Sequence, residues 1–232
     1  MKKAFYWYER SANLGNPTAQ KNLAICYHQG EGVEMNKELG VKWYKIAAEN
    51  GDALAKNSLA ICYETGEGVE KNIETAFHWY LESALEGHDH GQYNVSIAYE
   101  EGDGTEINHE KAFYWLQQAT KQNHPQALFR ISRFLSEGIG CEIDMEKSYE
   151  YLLRASKTDE KQTVEFAKIE IENFQKSSKT LSAHLDYHKM YKKLIFNQSK
   201  VDEYFDIQFH FFQSKEDVKN KQKLKLKNEE AE

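Results

Sequence analysis

Apolar positions in the first two-thirds of the chain recur at helical spacing, broken by short polar, glycine-bearing stretches. In residues 17–29, Ala19, Leu23, Ala24 and Tyr27 share one helical face. Pro17 suits a first turn and Gly30 the left-handed position just past the last one. The loop Glu31-Gly32-Val33-Glu34-Met35 follows, and Asn36 stands where an N-cap belongs. Leu39, Val41, Trp43, Tyr44, Ala47 and Ala48 then mark a second helix, which Gly51 stops. The pattern predicts a helix-turn-helix unit.

That unit repeats. Trp7, Trp43, Trp79 and Trp115 are each 36 residues apart, and Tyr151 continues the column. Gly30, Gly66, Gly102 and Gly138 keep the period, as do Gly32, Gly68, Gly104 and Gly140. So do Tyr27, Tyr63, Tyr99 and Leu135, and Leu23, Leu59, Val95 and Ile131. Asn72, Asn108 and Asp144 are the caps equivalent to Asn36. Ala12, Ala48 and Ala84, with Ala47, Ala119 and Ala155 beside them, let helices approach to ~8–10 Å. A fixed period of this size means stacked units that bury their apolar faces on one another. The expected fold is all-α: an α-solenoid of roughly nine helices in residues 1–158. It comprises a partial first unit and four units at 16–51, 52–87, 88–123 and 124–159.

These residues carry a resemblance. Ala19, Leu23, Tyr27, Gly30-x-Gly32-Val33, Trp43-Tyr44, Ala47-Ala48 and Gly51 resemble the Sel1-like repeat, a relative of the tetratricopeptide repeat. The resemblance implies a right-handed superhelix whose first helices line a concave face. It also implies an adaptor role in assembling protein complexes.

Both ends depart from the repeat. The array opens on a second helix, Lys3 to Asn13, so either the chain is cut from a longer repeat protein or that helix is an N-terminal cap. Phe5, Tyr6 and Tyr8 favour truncation, since a cap has a polar outer face. The fourth unit has Ser132-Arg133, Tyr151-Leu152 and Asp159 in place of the repeat residues, as a capping unit would. Beyond it, Thr163–Gln175 and Leu181–Phe196 read as helices, and Val201–Phe212 as helix or strand, with helix preferred. Residues 160–213 are expected to form a helical cap, with a partner-docking segment as the sharper alternative; residues 214–232 form a charged, disordered tail.

Composition narrows the function. All 13 glycines, both prolines and all four tryptophans precede residue 141. The net charge of −7 is uneven: residues 1–159 hold 16 Lys and Arg against 24 Asp and Glu, whereas residues 160–232 hold 14 Lys against 13 acids. An acidic array argues against a nucleic-acid partner. No apolar run reaches the ~18 residues of a membrane span. Three cysteines make no disulfide framework and fit a reducing, cytoplasmic setting, unless a signal lies upstream.

Counting outward from the Leu23 column gives the solvent-side positions of the first helices. Lys21, Asn57, Tyr93 and Phe129 form one column; Asn22, Ser58, Asn94 and Arg130 another; Ile25, Ile61, Ile97 and Arg133 a third. The isoleucines either pack between helices or floor a groove, with Asn22, Asn94 and Arg130 placed to hold a peptide backbone or carboxylate. Cys26 and Cys62 read as small core residues and Cys141 as the exposed thiol. His184 and His188 share a helix face but lack further zinc ligands, and His88, His90 and His124 are a weaker set. No phosphate loop, cofactor motif or nucleophile–base pair is evident. The reading is a monomeric, non-enzymatic scaffold that binds a partner protein or peptide on the concave face. The alternatives are an inhibitor or immunity-type protein using the aromatic C-terminal segment, and an enzyme akin to cysteine-rich Sel1-like hydrolases.

Overall fold

The structure, a computed structural model, describes the backbone of residues 2–184 and the side chains of residues 2–175. The expected elements Val201–Phe212 and 214–232, the remainder of Leu181–Phe196, and the His188 side chain lie outside the described residues, as does the side chain of His184. Residues 1–174 form one compact unit.

Ten helices and no strand occur among the described residues. They are α1 (Lys2–Asn13), α2 (Pro17–Gln29), α3 (Lys37–Glu49), α4 (Ala53–Thr65) and α5 (Ile73–Leu85), then α6 (Asp89–Glu101), α7 (His109–Lys121), α8 (Pro125–Glu137), α9 (Met145–Ala155) and α10 (Lys161–His184). Each helix from α1 to α9 packs on its neighbours in sequence, and α4 also touches α6. This is a solenoid of helix pairs.

The same local chemistry sets every unit. Asn36, Asn72, Asn108 and Asp144 each accept a hydrogen bond from the backbone N–H three residues on, at 2.7 to 2.9 Å. The first helices end on Gly30, Gly66, Gly102 and Gly138, all left-handed, with φ from 71° to 84°. The backbone N–H groups of the N-caps Asn36, Asn72, Asn108 and Asp144 donate to the carbonyls of Tyr27, Tyr63, Tyr99 and Leu135 respectively, which closes the loop. That column is held by its backbone, so leucine serves where tyrosine stood. The second loop glycine does a different task. A Cβ at Gly68, Gly104 or Gly140 would lie 2.5 Å or less from backbone of Lys37, Ile73 or His109, at the start of the preceding unit's second helix.

Leu23, Leu59, Val95 and Ile131 are fully buried and form the spine of the core. Burying each such side chain is worth about 1.5–3 kcal/mol. Ala47, Ala55, Ala112, Ala119 and Ala127 are also fully buried, where helix backbones approach closely. Trp43 joins the cluster around Leu23 to the cluster around Leu59, and Trp79 joins the latter to the next.

A polar column crosses the unit boundaries. Gln20 donates to the Ala12 carbonyl and accepts from Asn50. Gln92 repeats this with Ala84 and Gln122. At the same position Lys56 is buried and reaches Glu82 and Glu86. Leu128 ends the column and packs with Leu152, Ala155 and Ala167 of α10.

Two glycines outside the repeat columns also have reasons. At Gly40 a Cβ would press on the Ala24 carbonyl and the His28 Cβ, both at 3.1 Å. At Gly91 it would meet Ser83 Oγ at 2.6 Å. Equivalent pairs elsewhere are Ala47 with Ala55 and Ala119 with Ala127. Serine on one side is therefore accommodated by glycine on the other. Gly91→Ala alone should cost about 1–3 kcal/mol through overpacking. Ser83→Ala with Gly91→Ala should recover most of that loss, since alanine favours the helix over glycine by about 1 kcal/mol. A double-mutant cycle read by denaturant unfolding checks this; strictly additive losses would refute the coupling.

The ends differ from expectation in three ways. Phe5 packs edge-to-face on Tyr27 and Tyr8 is half-buried, so the outward aromatics of α1 are Tyr6 and Trp7, the latter 63% exposed. Helix α10 is continuous through residues 176–180, where a break was expected, because Lys176-Ser177-Ser178-Lys179-Thr180 contains neither Gly nor Pro. Cys141 is half-buried, not exposed, because its thiol turns inward and donates to the Phe134 carbonyl.

Candidate interaction face of the first helices

Helices α2, α4, α6 and α8 carry the solvent-side columns. Lys21, Asn22 and Ile25 lie half-buried on α2. On α4, Asn57 is buried and Ile61 is 42% exposed. The Asn94 amide of α6 donates to Asn57 Oδ1 at 3.0 Å, so these two asparagines link adjacent units. Tyr93 and Ile97 of α6 and Phe129 and Arg130 of α8 are half-buried, while Arg133 is exposed.

The structure gathers part of this set. Tyr93, Phe129, Arg130 and Arg133 line a cavity of about 310 Å³, closed on its far side by Glu160, Thr163 and Phe166. Asn94 and Ile97 line a second, of about 40 Å³, with Glu64, Tyr80 and Asp103. Lys21, Asn22, Ile25, Asn57 and Ile61 line neither.

Both arginines are already engaged by carboxylates of the preceding unit. Arg130 Nε donates to Glu100 at 2.7 Å and its Nη2 to Glu101 at 3.0 Å. Arg133 also donates to Glu100. Column counting shows which face a side chain takes but not which neighbour claims it, and Glu100 and Glu101 sit one unit back. Tyr80 donates to Glu64 at 2.6 Å, which pushes the phenol pKa up further than burial alone. Glu160 accepts from Gln126 and from Thr163.

Three constellations have catalytic or metal-binding residue types, two of which column counting missed. Cys62 Sγ lies 3.8 Å from His28 Nε2, and Glu67 lies 3.3 Å from that same nitrogen. An activated thiol needs base and orienting acid on opposite ring nitrogens. Burial pushes the Cys62 thiol up to about 11, the reverse of activation. Ser83 Oγ lies 3.2 Å from His88 Nδ1, but the hydroxyl is fully buried and donates to the Ala53 carbonyl at 2.7 Å.

The third set is Asp89, His90 and His124, whose ligand-type atoms all fall within 4.8 Å of one another. His88 and His124 occupy the N-cap position that Asn16 and Asp52 fill in earlier units. Their Nδ1 atoms accept from the Gly91 and Ala127 backbone N–H at 3.2 and 3.3 Å. The His124 proton therefore sits on Nε2, which faces His90 Nδ1 at 3.1 Å. A metal on that Nε2 would need the proton moved to Nδ1, at the cost of the cap. Burial, then the neighbouring His90, holds the His124 pKa down to about 4. Burial lowers that of His88 as well.

Comparison with known proteins bears on what this face serves. The Sel1 repeat family profile matches residues 1–16, 17–52, 53–88, 89–124 and 125–157. Among solved structures, a Sel1 repeat protein from Oxalobacter formigenes is similar, with 26% identity and a TM-score of 0.66. That match covers 70% of this chain and 66% of the other. A protective antigen of uropathogenic Escherichia coli with an SLR fold shares 25% identity at a TM-score of 0.51, over 67% of this chain and 41% of that one. The chain thus spans under two thirds of each of these relatives. No curated protein matches it.

Proposed function

The chain belongs to the Sel1 repeat family, and from that premise we propose that it is a scaffold whose first-helix face docks a peptide segment of another protein. Sel1 repeat proteins are generally protein-interaction scaffolds. The observation that carries the reading is the coincidence of the repeat-phased face with the 310 Å³ cavity between α6, α8 and α10. Its volume is at the small end of the ~300–1,000 Å³ range of ligand sites, with room for one or two side chains. Ile25, Ile61 and Ile97 extend the apolar strip away from it along α2, α4 and α6. Protein partners recognised this way bury apolar anchors in such pockets and leave a polar rim. The Cys62–His28 and Ser83–His88 pairs support a scaffold too, since neither holds an activated nucleophile.

The test uses a photo-crosslinking residue in place of Ile61 or of Tyr114, which is 53% exposed on the second helix α7. In a lysate of the source cell, a discrete crosslinked partner is expected from position 61 and not from position 114. Equal labelling at both, or none at position 61, would count against the face.

A further inference from the structure

We infer that the segment docked on this face is basic, with an apolar anchor residue, rather than acidic or a free C-terminal carboxylate. The inference rests on the docking reading and goes on to the chemistry of the occupant. Arg130 and Arg133 are the only cations lining the two cavities among the described residues. Both are held by Glu100, and Arg130 by Glu101 too. At Arg130 an incoming carboxylate would have to displace Glu100, whose side chain is only 12% exposed, and leave it unpaired; Arg133 is exposed, but its charge is already shared with that same carboxylate. Stranding a buried charge is costly.

The remaining charges are negative. Glu160 lines the larger cavity, and Glu64 and Asp103 line the smaller one with no cation beside them. With Glu100 and Glu101, five carboxylates face two guanidinium groups. Lys161, exposed on α10 beside Glu160, offsets one of these charges and leaves the balance negative, and the lysines of the earlier units add nothing to it. Lys37 pairs with Glu67, Lys56 is buried against Glu82 and Glu86, and Lys21 stands two units from the larger cavity. Tyr93, Phe129 and Phe166 supply the apolar floor. Such a floor takes an aromatic or aliphatic side chain, and the carboxylates around it favour lysine or arginine on either side.

The experiment selects random peptides of about twelve residues, displayed on phage, against the full chain. The same selection runs on Ile61→Ser with Phe166→Ser, exposed positions whose change should leave the fold intact by circular dichroism. Enriched peptides are expected to carry net positive charge around an apolar residue and to lose enrichment on the double variant. A synthetic member with its lysines changed to glutamate should bind at least about tenfold more weakly at ~50 mM salt, and the difference should shrink as salt rises. Neutral or acidic peptides that still depend on Ile61 and Phe166 would overturn the charge inference and leave the docking face standing. Peptides indifferent to the double variant, or no enrichment, would overturn the docking face itself.

Discussion

On the order of 2–3 kcal/mol of folding stability is expected to disappear between neutral pH and about pH 4.5 because of His124 alone. This side chain is 1% exposed and stacks on Tyr93, with ring centroids 4.7 Å apart. His90, His88 and Asp89 are the titratable neighbours that shift it, and only Asp89 favours the charged ring. Its pKa falls from 6.5 in the unfolded chain to about 4 in the folded one. The unfolded chain thus binds more protons between those values. The stabilising contribution is complete above pH 6.5 and is lost as pH drops toward 4. His88 acts in the same direction. Protonation also removes the acceptor for the Ala127 N–H and places a cation at a helix N-terminus, where the dipole opposes it. Denaturant melts at both pH values, on the native chain and on His124→Asn, measure this. Asparagine caps the equivalent helix at Asn16, so the variant should be less stable at neutral pH but lose less on acidification. Equal losses in both proteins would exclude His124 as the source.

Gly104→Ala is the second large effect, an expected loss of about 2–5 kcal/mol. A Cβ there lies 2.4 Å from the Ile73 carbonyl oxygen, at φ 69°. The left-handed backbone costs an alanine about 1–2 kcal/mol and overpacking about 1–3 more. Gly87→Ala is the control. Its φ is 87° but nothing stands within 4 Å, so only the backbone cost remains. Thermal unfolding should fall by roughly 10 °C for the first and roughly 3–5 °C for the second, taking about 2–4 °C per kcal/mol for a chain of this size. Similar falls would mean that the loop does not bear on the preceding unit.

The helix boundaries were legible because their causes are local. A cap such as Asn36 needs only the next three residues, and Gly30 only its own backbone. The buried columns were legible because a strict period repeats each contact. Asn123 shows how far such a rule bends: it takes φ 60° where Gly51 and Gly87 stand in earlier units. What stayed hidden depends on contact across helices. The period places Arg130 and Arg133 on the face but says nothing of Glu100, which claims both. Gly91 looked like an exception until Ser83 lay against it. His88 and His124 were visible as a sparse histidine set, and their position in the cap column was the available signal that their ring nitrogens serve the backbone.

The tryptophan column gives this chain a built-in spectroscopic ruler. Each unit from α1 through α7 carries one indole on its second helix, at Trp7, Trp43, Trp79 and Trp115. Trp7 is mostly in water, whereas the other three are half-buried between units. Emission from Trp7 alone should be red-shifted, and each of the others should move to the red when its own junction opens. Chains keeping one tryptophan apiece, the others changed to phenylalanine, would report in which order the junctions part.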